Sequence, residues 1–140
     1  MTAASKLQPF VANLANKVFN LGSDTLKILL TNSAPAATDG QKSQLTEITG
    51  GNGYTSGGAT VGITSSTQTG GTYKLLPSGN VSWTASGGTI GPFRYAVLYD
   101  DSAANDELIL YWDYGSSVTL NPTDVFQITL DTTNGLLQIA

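Results

Sequence analysis

The sequence predicts a mainly β fold, an antiparallel two-sheet β-sandwich of jelly-roll type with one N-terminal α-helix. Three observations predict it. From residue 59 onward, apolar and polar residues alternate in short runs separated by Gly, Pro, Asn and Asp, the spacing of a many-stranded antiparallel protein. The densest apolar patch beyond the first thirty residues, Phe93–Leu120, reads as strands about an acidic turn. Helical periodicity occurs once, near the N-terminus.

That helix is expected over 7–21. Leu7, Val11, Leu14, Val18 and Leu21 recur at spacings of four and three, and Phe10 and Ala15 widen the same face. Pro9 falls in the first turn, where its missing N–H costs nothing. Gly22 is placed to end the helix in a left-handed conformation. Such a helix covers an open side of the sheet or docks on a neighbouring subunit. Thr25–Thr31 then predicts a buried strand with Leu26, Ile28 and Leu30 inward. Leu29, on the other face, needs cover from the helix or from another subunit.

Residues 32–58 form a long Gly-rich connection. A connection of this length inside one domain is usually functional or mobile. One reading is a surface excursion with a short strand near Leu45–Ile48. The other is an extended arm that orders against a partner. On the second reading Ala34, Pro35, Ala36, Ala37, Leu45, Ile48 and Tyr54 are the candidate protein-interface residues. The GGNG run at 50–53 is no phosphate loop, because neither Lys-Ser/Thr nor a helix follows.

Ala59–Ser65 reads as a strand with Val61 and Ile63 on one face. Thr72–Leu76 and Asn80–Ala85 are expected to pair about Pro77-Ser78-Gly79. Phe93–Tyr99 and Leu108–Asp113 make the central hairpin, followed by a short strand at Val118–Leu120. Val125–Leu130 and Leu136–Ile139 are expected to pair about Asn134-Gly135. The turn from Asp100 to Glu107 gathers Asp100, Asp101, Asp106 and Glu107. Its spacing does not match a calcium loop, and it reads as a solvated turn.

Composition narrows the function classes. At 140 residues the chain is long enough for a single domain, 1–140, with a core of its own. It has neither cysteine nor histidine, which disfavours thiol nucleophiles, zinc sites and a histidine base. No enzymatic activity, metal or cofactor is expected. Charged residues are 11% of the chain, against roughly 25% in ordinary soluble domains. The surface is therefore expected to be neutral hydroxyls and amides, which suits a packed array of subunits where every buried charge needs a partner. With a net charge of −4 and six scattered basic residues, nucleic acid is an unfavourable partner. TAASKLQPF is no secretory signal, and no apolar run approaches a membrane span, so no membrane partner is expected. Tyr73, Trp83, Tyr95, Tyr99, Tyr111, Trp112 and Tyr114 are candidates for a sugar-binding face or, at strand spacing, for core and sheet edge.

Four blocks carry a resemblance: LGSDTLKILLTNSAP (Leu21–Pro35), GNGYTSGGATV (Gly51–Val61), FRYAVLYDD (Phe93–Asp101) and WDYGSSVTL (Trp112–Leu120). Together and in this order the chain resembles a group of small proteins encoded by tailed bacteriophages and prophages. The resemblance implies a non-enzymatic virion structural protein, first a capsid decoration or cement protein that binds and stabilises the assembled head. A tail or fibre-associated module binding a receptor or glycan is the alternative. It implies the phage major capsid protein and further copies of the chain as partners. The implied location is the virion, on the head surface before the tail, after synthesis in the host cytoplasm.

Overall fold

The computed structural model describes residues 3–140. Its elements in chain order are β1 (Ser5–Lys6), α1 (Pro9–Ala15), β2 (Leu26–Thr31), a 3-10 turn (Lys42–Gln44), β3 (Ala59–Val61), β4 (Ile63–Thr69), β5 (Thr72–Pro77), β6 (Val81–Thr84), β7 (Ile90–Asp100), β8 (Leu108–Leu120), β9 (Val125–Ile128) and β10 (Leu137–Ile139). The protein is mainly β, all its strand pairs are antiparallel, and α1 is the α-helix among the described residues.

The strands divide into three hydrogen-bonded sheets: β1-β8-β7-β2-β3, β10-β5-β4 and β6-β9. The β7–β8 hairpin is the frame, as the apolar density of Phe93–Leu120 predicts. β8 runs unbroken to Leu120, so the expected separate strand at Val118–Leu120 is its far end. β2 lies along β7 over its whole length, from Leu26 opposite Asp100 to Thr31 opposite Tyr95. Alternation then sends Leu26, Ile28 and Leu30 to one face and Leu29 to the other.

The first face belongs to a large core. It gathers Leu26, Ile28, Leu30, Ala96 and Leu98 from the five-stranded sheet with Leu75, Val81, Trp83, Phe126 and Ile128 from the two smaller ones. Phe126 meets Phe93 edge-on with centroids 4.9 Å apart and Trp83 at 6.2 Å. The second face carries a smaller cluster of Leu7, Leu29, Val97, Tyr99 and Leu108, with Leu45 and Tyr111 packed against it. The cover over Leu29 thus comes from this chain's own Leu7 and Leu45, and neither α1 nor another subunit is needed for it.

Several pairings differ from the expected ones. Val61 and Ile63 lie in different sheets, because the chain crosses from β3 to β4 at Gly62. β5 pairs with β4 across Gly70-Gly71 and with β10, while β6 pairs with β9. Neither Pro77-Ser78-Gly79 nor Asn134-Gly135 therefore tips a hairpin; each carries the chain from one sheet to another. Turn residues mark where the chain changes direction, but they do not choose the strand's partner.

The helix is also shorter than its periodicity implies. It spans seven residues and ends at Ala15, with Asn16 as its C-cap. Lys17, at φ 65°, takes the left-handed position expected of Gly22. Val18 N–H reaches Asn13 O at 2.9 Å and Lys17 N–H reaches Leu14 O at 3.4 Å, the paired bonds of a Schellman ending. Leu7 precedes the helix and is fully buried in the smaller cluster, while Val11 is 53% exposed. Phe10 and Phe19, with centroids 5.2 Å apart, anchor this region to the large core instead.

Candidate interaction surface

The 32–58 connection is a folded strap, fastened to the sheets at three points. Its first half runs beside the start of β8: Leu108 N–H donates to Gly40 O at 3.0 Å and Lys42 N–H to Asp106 O at 3.1 Å. Gln44 Oε1 accepts the amides of Gly40 and Gln41 at 2.8 and 2.9 Å, which closes the 3-10 turn on itself. Its middle turns back along the end of β2, where Ile48 N–H donates to Leu30 O at 3.1 Å and the Thr31 hydroxyl to Thr46 O at 2.5 Å.

The third fastening is a buried polar knot. Glu47 Oε1 accepts the Tyr54 hydroxyl and the Gly57 amide, each at 2.6 Å. Tyr54 Oη also accepts Leu30 N–H at 3.0 Å. Tyr99 donates its hydroxyl to Gly57 O at 2.6 Å, and Lys42 Nζ lies 5.2 Å from the Tyr99 ring centroid. Burial, then the carboxylate of Glu47, pushes the Tyr54 hydroxyl well above its ordinary range; burial, then Asp101, does the same for Tyr99. Both phenols are neutral donors at every physiological pH.

The expected interface residues separate on this frame. Tyr54 is 2% exposed and belongs to the large core, so it is an anchor of the strap, with no surface to offer a partner. Pro35 is buried, and Leu45 and Ile48 are half-buried against the two cores. Ala34, Ala36 and Ala37 remain exposed. They sit on a tight turn: Asp39 Oδ2 accepts Ala36 N–H at 2.8 Å, Asp39 N–H returns to Ala36 O at 2.9 Å, and Gln8 N–H donates to Ala37 O at 2.8 Å. Glu47, Lys42 and Asp39, which hold the strap, left no periodic signal in the sequence. The available hint was composition: few charges occur in this stretch, and a carboxylate that is half-buried needs donors.

Two shallow concavities flank the strap. One, of about 390 Å³, is lined by Gln41, Lys42, Ser43, Leu45, Glu47, Asn105 and Asp106. The other, of about 200 Å³, lies among Asn32, Thr46, Ile48, Gly91 and Pro92. Among the described residues no three Asp or Glu side chains converge as a metal site, and no helix is long and apolar enough to cross a membrane.

The acidic turn is less solvated than expected. Asp100 is fully buried and Glu107 is 7% exposed, while Asp101 pairs with Lys27 at 3.2 Å. The aromatic residues do not share one face. Trp83 and Tyr99 are buried, in different cores; Tyr95 and Tyr111 meet edge-on at 6.3 Å; and Tyr114 lies against Phe126 at 5.5 Å. A continuous sugar platform is not assembled. No family model, no curated protein and no solved structure matches this chain.

Proposed function

We propose that this chain is a non-enzymatic virion structural protein, a capsid decoration or cement protein that binds the assembled phage head as copies of itself against the major capsid protein. We read its fold accordingly as a sandwich, with the five-stranded sheet as one layer and the two smaller sheets together as the other. The order of the four sequence blocks supports the phage assignment. The observation that carries the binding role is the pre-formed turn at 34–38. It presents Ala34, Ala36, Ala37 and Thr38 without a charge among them, on backbone already fixed by Asp39 and Gln8. A surface of this kind loses little entropy and desolvates no ion when it is covered. Binding only to the assembled lattice then adds stability to that lattice by mass action.

The test is co-sedimentation of purified protein with phage heads that lack it, followed by cryo-electron microscopy. Saturable binding to heads, with density over capsomer boundaries and the 34–38 turn at the contact, is the expected result. Binding to tails alone favours the receptor- or glycan-binding module instead. Binding to neither sinks both virion readings.

A further inference from the structure

Asp100 ends β7 beneath the turn that leads to β8, and its side chain has an asymmetric environment. Oδ1 accepts the amides of Ser102 and Ala103 at 2.9 and 3.1 Å. Oδ2 is buried with no donor facing it. The neighbouring carboxyl group is that of Asp24, within side-chain hydrogen-bonding reach of Asp100, and its own Oδ2 accepts Asn20 N–H at 2.9 Å. A buried oxygen without a donor is costly, and two carboxylates in contact repel. One proton placed between them removes both penalties. We propose that Asp24 and Asp100 share one proton as an acid–carboxylate pair, and that this proton is a pH-sensitive latch between the 16–25 loop and the β7–β8 turn.

The neighbouring residues place the pair at a seam. Thr25 N–H donates to Ser102 Oγ at 2.9 Å, and Asp101 N–H donates to Thr25 O at 2.9 Å, so two hydrogen bonds join Thr25 to residues 101–102 beside the pair. The other charged groups are occupied elsewhere. Lys27 pairs with Asp101, and Glu107 accepts Asn105 N–H and Nδ2 at 3.2 and 3.1 Å. Asp106, at the far end of the turn, adds only negative charge. A cation is the poorer occupant, since a calcium ion takes six to eight oxygens and two carboxylates are on offer. Burial, and then Asp24, push Asp100 up to about 7. The folded state therefore keeps a proton that the unfolded chain has lost, so this contribution is complete below the ordinary carboxylate range and disappears as pH rises toward neutrality.

Asp100→Asn keeps the Oδ1 acceptor and supplies a permanent donor toward Asp24. Melting temperature should fall between pH 5 and pH 8 in the wild type and stay level in the variant, which should melt above the wild type at pH 8. In the wild-type chain, carboxyl ¹³C NMR should find one aspartate with a midpoint near neutral pH, moved down by Asp24→Asn. The proposal is overturned if every carboxyl titrates in the ordinary range, or if Asp100→Asn retains the wild-type pH dependence. It is equally overturned if calcium chloride raises the wild-type melting temperature at pH 8 and leaves Asp100→Asn unmoved, because the missing partner is then a cation. Should the variant fail to fold, the wild-type titration decides alone.

Discussion

The Tyr54 hydroxyl donates to Glu47 Oε1 at 2.6 Å, and through it the strap is tied to the end of β2, since Tyr54 Oη also accepts Leu30 N–H at 3.0 Å. Tyr54→Phe removes one atom; it strands the buried Leu30 amide and takes from Glu47 Oε1 one of its two donors, leaving the Gly57 amide. Such a loss costs about 1–3 kcal/mol. Urea denaturation should find a lower midpoint with an unchanged slope, because the strap stays folded through Ile48 and Gly40. A midpoint within error of the wild type means that water satisfies the knot.

Gly58 is the closest backbone approach on the strap. It has φ +83°, and a Cβ built there collides with Ile28 O and the adjoining backbone of β2. Gly71, at φ +87°, has open space where its Cβ would sit. The two positions share the conformational penalty of a left-handed L-residue, roughly 1–2 kcal/mol. Only Gly58→Ala adds a backbone clash, so it should lose about 4 kcal/mol or more, the range reserved for severe packing errors. Equal losses in the two variants indicate a strap that lifts away from β2 at little cost.

The short helix makes a sharp contrast between neighbours. Phe10 is 6% exposed against Phe19, while Val11 is 53% exposed. Phe10→Ala should cost about 3–5 kcal/mol by emptying a core site. Val11→Asp should stay within about 0.5 kcal/mol, as surface changes do. A helix continuing along the predicted apolar face buries Val11 beside Phe10, so that Val11→Asp is costly as well, and thermal melts of the two variants separate the alternatives.

The same residues explain what the sequence made legible. Hydrophobic periodicity reports burial, and Leu7, Leu14, Val18 and Leu21 are all at least partly buried, but in two separate cores and mostly off the helix. Val11 and Ala15, from the same apolar series, are exposed, so the period does not hold throughout and a single helix over 7–21 is too long a reading of it. The central hairpin was legible because its strands adjoin in sequence and its apolar density is local. The partners of β5 and β6 were not, because Leu75 opposite Leu137 and Trp83 opposite Phe126 are choices made across the chain. On the strap, exposed Ala36 and buried Tyr54 have no period to tell them apart, and only the hydrogen bonds of Glu47 and Asp39 decide which is anchor and which is surface.

Charge placed on the 34–38 turn separates binding from folding. Ala34, Ala36 and Ala37 are exposed, and their Cβ atoms take longer side chains into solvent. Ala36→Glu and Ala37→Glu should leave the melting temperature within about 2 °C, the shift for a change under half a kcal/mol. Head co-sedimentation should weaken by at least tenfold, since an unpaired carboxylate is desolvated at the contact. Deleting the turn is the wrong probe, because Gly40 and Gln41 close the strap onto β8. Undiminished binding by both variants excludes the turn as the contact.

The pH dependence of stability should have two limbs with different owners. Asp113 receives Arg94 Nε at 2.8 Å and Nη2 at 3.0 Å, and its Oδ1 also accepts Gly115 N–H at 2.8 Å. The Arg94 guanidinium first, then the Gly115 amide, hold its carboxyl below the ordinary value. Stability from a carboxylate depressed in this way is complete above its unfolded value and is lost as pH falls through the lower folded one. Asp131, lowered by the Asn134 and Thr133 amides, acts in the same acid window. Asp100 has the opposite sign and loses its contribution as pH rises toward about 7. The two effects leave a stability maximum in mildly acidic solution, and urea midpoints from pH 2 to pH 8 should trace it. Asp113→Asn should flatten only the acid limb, and modestly, because the pair is solvent-screened. Asp100→Asn should flatten only the neutral limb. A single variant that moves both limbs couples the Arg94 pair to the Asp24–Asp100 seam, and independent titration of the two sites is then wrong.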